Sequence, residues 1–144
     1  MYQFVIPIHH VNWSTRAVLE GIYQKYNPKN IFVITSENEI KILKDKSKNW
    51  KIKNLTLLDE DNFFLNKYGL TKTDIVSQIT QNKPNYTPGW LYQQIIKLGA
   101  DDVINEIDEV FIVWDSDLLP VKSWPLVDKK KEKFALLQDK SYGN

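Results

Sequence analysis

The chain has 144 residues, 42% of them hydrophobic and 26% charged, which is enough for one domain with a real apolar core. A net charge of +1, with Arg16 the only arginine, speaks against nucleic acid or an anionic membrane as a partner recruited by bulk electrostatics. Without cysteine there is no disulfide, no thiolate catalysis and no cysteine-based zinc site.

Phe4 to Ile8 is a short apolar run and predicts a buried first strand, with Pro7 marking its end. No basic segment precedes it, so a signal peptide is not expected, and no stretch has the length of a membrane span; the expected compartment is the cytoplasm. Ser14 is a candidate N-cap for a helix whose apolar side is Ala17, Val18, Leu19, Ile22, Tyr23 and Tyr26, stopped by Asn27-Pro28. Ile31 to Ile34 reads as a second strand. Ser36 with Glu39 resembles a capping box for a short helix through Leu43. Leu55 to Leu58 reads as a third strand.

Asp59 to Asn85 carries little pattern beyond a short helix near Thr73 to Thr80. Thr87-Pro88-Gly89 opens a helix from Trp90 to about Leu98, with Asp101 to Ile107 a candidate further turn. Val110 to Trp114 predicts a fourth strand, and Phe134 to Leu137 a fifth after a lysine-rich connector, Lys129 to Lys133, read as solvated. Strands separated by helices imply an α/β layered fold with a largely parallel sheet. Ligands in such sheets bind beyond the carboxyl ends of the strands, where His9-His10 and Asp115-Ser116-Asp117 both fall.

Two carboxylates one residue apart repel each other unless a cation intervenes. Alternation along an extended strand would send Asp115 and Asp117 to the same side, a fit for Mg²⁺ or Mn²⁺ shared with the oxygens of a diphosphate. Asp and Ser are also ordinary turn residues, and Asp59-Glu60-Asp61 matches the same pattern after another strand. Wound at about 100° per residue, the helix from Trp90 puts Leu91, Ile95 and Leu98 on one face, flanked by Tyr92 and Ile96. Trp90, Gln93, Gln94 and Lys97 gather opposite, a set suited to a polar, hydroxylated ligand or simply to solvent. His9 and His10 lack the spacing of a zinc pair.

VWDSDLLP resembles the DxD segment of GT-A-fold glycosyltransferases, which use nucleotide sugars. PGWLYQQIIKL, Pro88 to Leu98, resembles a segment of a bacterial and viral group of such proteins, where a Gly-Trp-x-x-Gln-Gln-x-x-Lys-Leu helix precedes the DxD strand. FVIPIHH is similar to the first strand and base-docking loop of that fold. The resemblance runs from Phe4 to about Leu137, with two distinctive segments.

The resemblance implies a GT-A-like Rossmann-type domain, 1–144, binding a UDP-sugar and acting as a metal-dependent hexosyltransferase on an unknown glycan, protein or lipid acceptor. It selects the second acidic pair. Asp117 would hold Mn²⁺ or Mg²⁺; Asp115 would touch the metal or the ribose hydroxyls; both would be the catalytic centre. Ile8, His9, His10, Trp90, Gln93, Gln94, Lys97, Trp114 and Ser116 would bind the donor. Asp59-Glu60-Asp61 would be a solvated turn. The GT-A fold continues beyond DxD with acceptor-side strands and often a catalytic base. Little chain follows Leu137, so the expectation is the amino-terminal, donor-binding part of a longer protein. The alternatives are a nucleotidyltransferase-type metal enzyme, a non-catalytic nucleotide- or sugar-binding module, and an α/β interaction domain using Trp90 and Trp124. No P-loop, GxGxxG or nucleophile elbow is present.

Overall fold

The computed structural model describes residues 1–127 and the backbone of 128 and 133–134. Its central sheet has four parallel strands in the order β3-β2-β1-β4: β1 (Gln3–Pro7), β2 (Asn30–Thr35), β3 (Leu55–Asp59) and β4 (Ile112–Val113). The central strands are buried on both faces, hence their unbroken apolar runs. The helices that return the chain supply the covers.

Helices α1 (Thr15–Tyr26) and α2 (Glu37–Lys46) cover one face. There Val18, Leu19, Ile22 and Leu43 pack with Phe4, Ile6, Ile8, Ile31 and Val33. Each large aliphatic side chain buried in this way contributes about 1.5–3 kcal/mol. Helix α5 (Pro88–Val103) covers the other face, joined by α3 (Leu65–Tyr68) and α4 (Lys72–Asn82). Tyr92, Ile96 and Ala100 of α5 meet Val5, Phe32, Ile34, Phe63 and Phe64 there. The result is an αβα layered fold of Rossmann type. Among the described residues no helix is long and apolar enough to cross a membrane.

Several local expectations change. Ser14 precedes α1 but does not cap it with its side chain; its hydroxyl donates to Asn12 Oδ1 instead. Ala17 is exposed. Asn27 ends α1 in a left-handed conformation (φ 44°), before Pro28. Ser36 accepts from the Glu39 N–H, but Glu39 does not complete the box because its carboxylate is bound elsewhere. A full box forms at Thr71 and Asp74, in the stretch that carried little pattern. Helix α5 runs unbroken to Val103. Its core face is the Tyr92–Ile96–Ala100 stripe, and Leu98 is 83% exposed.

Strand β4 is an edge of two residues, and Val110 and Val113 are 44% and 41% exposed, so the fourth strand is shorter and less buried than its composition predicts. Lys133–Phe134 forms strand β6, paired antiparallel with β5 (Val127–Asp128) in a separate ladder rather than extending the parallel sheet. Residues 135–137 of the expected fifth strand, and Lys129 to Glu132, lie outside the described residues.

Candidate functional site

From β1 the chain proceeds to β2 and β3 on one side, then returns to place β4 on the other side of β1. The gap between β1 and β4 is therefore the topological switch point of the sheet, where loops diverge and leave a crevice. A pocket of about 450 Å³ opens there, lined by Pro7, Trp90, Gln93, Gln94, Lys97, Asp115, Ser116 and Asp117.

Each wall has a sequence origin. Phe4 and Val5 of β1 pair with Ile112 and Val113 of β4, and the Trp114 N–H donates to the Val5 carbonyl at 3.0 Å. Alternation sends Ile112 and Trp114 into the α1 side of the core. Asp115, one step on, turns to the α5 side, as Pro7 does two residues after Val5. The strand does not persist through the acidic pair. The Leu118 N–H donates to the Asp115 carbonyl at 3.1 Å, closing a turn over Asp115-Ser116-Asp117. Asp115 therefore faces the pocket by alternation, whereas Asp117 reaches it through this turn and not as the next position but one of a strand.

The turn is held from behind. Trp114 Nε1 donates to the Leu118 carbonyl at 2.7 Å. Its indole, 4% exposed, sits among Phe4, Tyr26 and Trp124 at centroid distances of 6.0, 5.9 and 6.4 Å. The chain then lies over α1. Ser123 Oγ donates to the Lys25 carbonyl, the Trp124 N–H donates to the Tyr26 hydroxyl, and Pro120 packs on Gly21. A Cβ at position 21 would stand 3.0 Å from Pro120 Cγ, so only glycine admits this strap without displacement.

On the α5 side, burying Tyr92 and Ile96 turns Gln93, Gln94 and Lys97 to the crevice. Trp90, at the first turn, is 55% exposed and forms a rim. Lys97 Nζ donates to Asp115 Oδ1 at 2.5 Å. The lysine side chain is 18% exposed and the aspartate 62%, so the cation is the sheltered member of the pair.

The remaining expected residues do not enter the pocket lining. Ile8 and Trp114 are core residues, so neither side chain offers a surface to a ligand; their role is to pack. His9 and His10 are exposed on the loop after β1, rings 4.1 Å apart. The backbone of that loop is largely committed: Ile8 N–H to the Ile34 carbonyl, Val11 N–H to Glu39 Oε2, Asn12 N–H to Thr15 Oγ1. Few of its amides remain for a bound base. Glu39, read from the sequence as the acid of a capping box, is the clamp. The Val11 N–H, and beyond it His10 Nδ1 at 3.4 Å, hold its carboxyl below the usual range against the opposing effect of burial. An acid three residues into a helix is the signal for such a clamp, but the sequence assigned it to capping.

Asp59-Glu60-Asp61 is not the solvated turn expected. Glu60 is 4% exposed and accepts from Lys72 Nζ at 2.7 Å. The Tyr92 hydroxyl donates to the Glu60 carbonyl. Asp59 forms the Asx turn, accepting from Asp61 N–H and Asn62 Nδ2.

A family model, DUF6492, described as a family of unknown function, matches residues 17–139. The chain belongs to the DUF6492 family. The DUF6492 segment contains α5 and the acidic turn, so apart from Pro7 the pocket lining lies inside it. Comparison with curated proteins and with solved structures finds no match.

Asp115 and Asp117 are the acidic oxygens available to a metal. Among the described residues no three His, Asp or Glu side chains gather in metal-holding geometry. Two carboxylates would supply only part of the shell of a hard divalent cation, the remainder falling to ligand oxygens and water.

Proposed function

We propose that this chain is a GT-A-like donor-binding domain that takes a UDP-sugar with Mn²⁺ or Mg²⁺ and transfers the sugar to an acceptor hydroxyl. The observation that carries the reading is the polar pocket at the β1/β4 switch point, where two aspartates, a sheltered lysine, two amides and a half-exposed tryptophan converge. Apart from Trp90 and Pro7 the lining is polar. Anion, cation and hydroxyl groups are all provided for.

Asp117 and Asp115 would hold the metal, whose chemistry when bound is to neutralise charge on the departing diphosphate. Lys97 offers a second positive charge to the same diphosphate. The Gln93 and Gln94 amides donate to and accept from sugar hydroxyls. Trp90 presents a flat apolar face to the sugar or base, and the Ser116 hydroxyl borders the turn. His9 and His10 continue the chain just beyond Pro7 and leave ring stacking as their available contact with the base. The bond between the anomeric carbon and the diphosphate oxygen would break with its electrons leaving on UDP, the acceptor oxygen would bond to that carbon, and the acceptor's hydroxyl proton would pass to water or to the released diphosphate.

A nucleotidyltransferase is less well supported, since the loop after β1 holds neither glycine nor lysine nor arginine. A binding module without turnover keeps one supporting observation: the carboxylates lining the pocket are Asp115 and Asp117, both needed for the metal.

The test is calorimetric titration of UDP with Mn²⁺, then with EDTA, on wild type and Asp117→Ala. Metal-dependent binding that the substitution abolishes is expected. Binding indifferent to both metal and Asp117 would overturn the reading.

A further inference from the structure

Lys97 and Asp115 occupy each other. The Lys97 side chain, 18% exposed, lines the pocket wall, and the one acceptor of its ammonium among the described residues is Asp115 Oδ1. The carboxylate is the exposed partner, and it is its Oδ1 that meets the ammonium. A sheltered cation needs a counter-charge, and Asp115 supplies it.

This pairing sets conditions on any ligand. An anion that approaches Lys97 meets the Asp115 carboxylate already on it, and must displace that carboxylate or lie beside it against short-range repulsion. A divalent cation that approaches Asp115 alone meets the lysine ammonium. Only an anion and a cation arriving together satisfy both side chains. We propose that Lys97 and Asp115 form an exchange pair, so that the pocket resists a lone anion or a lone divalent cation and admits the two jointly. The anion takes Lys97 and the cation takes Asp115. The ligand's identity as a metal diphosphate rests on the function proposed above; the exchange itself requires only a charged pair of ligands.

The experiment uses inorganic pyrophosphate and Mn²⁺ as separate probes. Pyrophosphate is titrated calorimetrically in EDTA, and Mn²⁺ binding is followed alone by electron paramagnetic resonance. Asp115→Asn frees Lys97 and should tighten metal-free pyrophosphate about fivefold, the worth of a partly exposed ion pair. Asp117→Asn, an identical charge change in the same turn without the Lys97 contact, should tighten it less. Lys97→Met should tighten Mn²⁺ alone by a similar factor and weaken pyrophosphate in the presence of Mn²⁺. Melting curves confirm that each variant is folded.

Equal gains in the two asparagine variants, no gain in Asp115→Asn, or no pyrophosphate binding by any of the proteins would overturn the exchange. The donor reading fails separately: an exchange seen with pyrophosphate and Mn²⁺ but no affinity for UDP would remove the nucleotide and leave the pair. Metal-dependent UDP binding with no gain in Asp115→Asn would do the reverse.

Discussion

Asp59-Glu60-Asp61 and Asp115-Ser116-Asp117 both lie at the carboxyl end of a parallel strand, β3 and β4, and each has a lysine from a helix bound to one carboxylate. In the first, the acid is sheltered and the lysine more exposed: the Glu60 side chain is 5% exposed and that of Lys72 27%. In the second the order reverses, with Lys97 sheltered and Asp115 open. A buried carboxylate tied to a helix lysine, on a residue whose backbone carbonyl accepts from the Tyr92 hydroxyl, holds layers together. An open carboxylate tied to a sheltered lysine faces a pocket and can be traded. The tripeptide pattern is the same; what differs is which member of the ion pair the fold removes from water.

Substitutions can break this contrast. Glu60→Ala strands Lys72 and should lower unfolding stability by roughly 3 kcal/mol in urea titration, since loss of one member of a buried pair is costly. A loss below about 0.5 kcal/mol, the level of a surface change, would erase the distinction. Gly21→Ala presses on Pro120 and should cost about 1–3 kcal/mol by overpacking. Because the strap holds the acidic turn, the same variant should weaken Mn²⁺–UDP binding, whereas Glu60→Ala should do so only as far as it unfolds the chain.

Tyr92→Phe removes the hydroxyl from the Glu60 carbonyl and should cost roughly 1–2 kcal/mol. Its signature is in alkali. Burial, then the negative charges of Glu60, Asp61 and Asp59, pushes the Tyr92 hydroxyl above its ordinary value of 10.0. The unfolded chain therefore loses this proton first. The phenol's contribution is intact below pH 10 and declines as the pH rises past it. Stability of wild type should fall more steeply above that pH than stability of Tyr92→Phe. The smallest stability effect belongs to Asp117→Asn: within about 0.5 kcal/mol of wild type, as for an exposed residue. Its effect should appear in metal-dependent binding instead.

The parts of this fold legible in sequence are those where one short-range signal suffices. The apolar runs at Phe4, Ile31 and Leu55 became β1, β2 and β3, because strands covered by helices need no alternation. Thr87-Pro88 opened α5 as proline at a first turn does. The polar arc of Trp90, Gln93, Gln94 and Lys97 could be drawn on a helical wheel and does line one pocket with Asp115, Ser116 and Asp117. The apolar arc could not, because Leu91, Ile95 and Leu98 compete with Tyr92, Ile96 and Ala100, and only the sheet decides which arc it covers. Glu60 and Glu39 were opaque for a similar reason. Their partners, Lys72 and the Val11 N–H, are brought to them by the packing of other elements. The switch of Asp115 from strand to turn depends on the Trp114 indole reaching the Leu118 carbonyl, which no periodicity reveals.

The β1–β4 seam has a consequence for the order of folding. β1, β2 and β3 lie within the first 59 residues, whereas β4 must return across nearly the whole described chain. Gln3 secures that return, donating to the Glu106 carbonyl at a separation of 103 residues and accepting from the Asp108 N–H at 105. Contacts so distant close late, after local pairings have offset their own entropy. The seam itself is a ladder of two residues, so it is also the part of the sheet with least to hold it against local opening. A chain with β4 detached would keep three paired strands and much of their apolar cover, yet have no pocket. Hydrogen exchange at the Trp114 amide, which donates to the Val5 carbonyl, would then track binding competence under mild denaturant more closely than any measure of helix content.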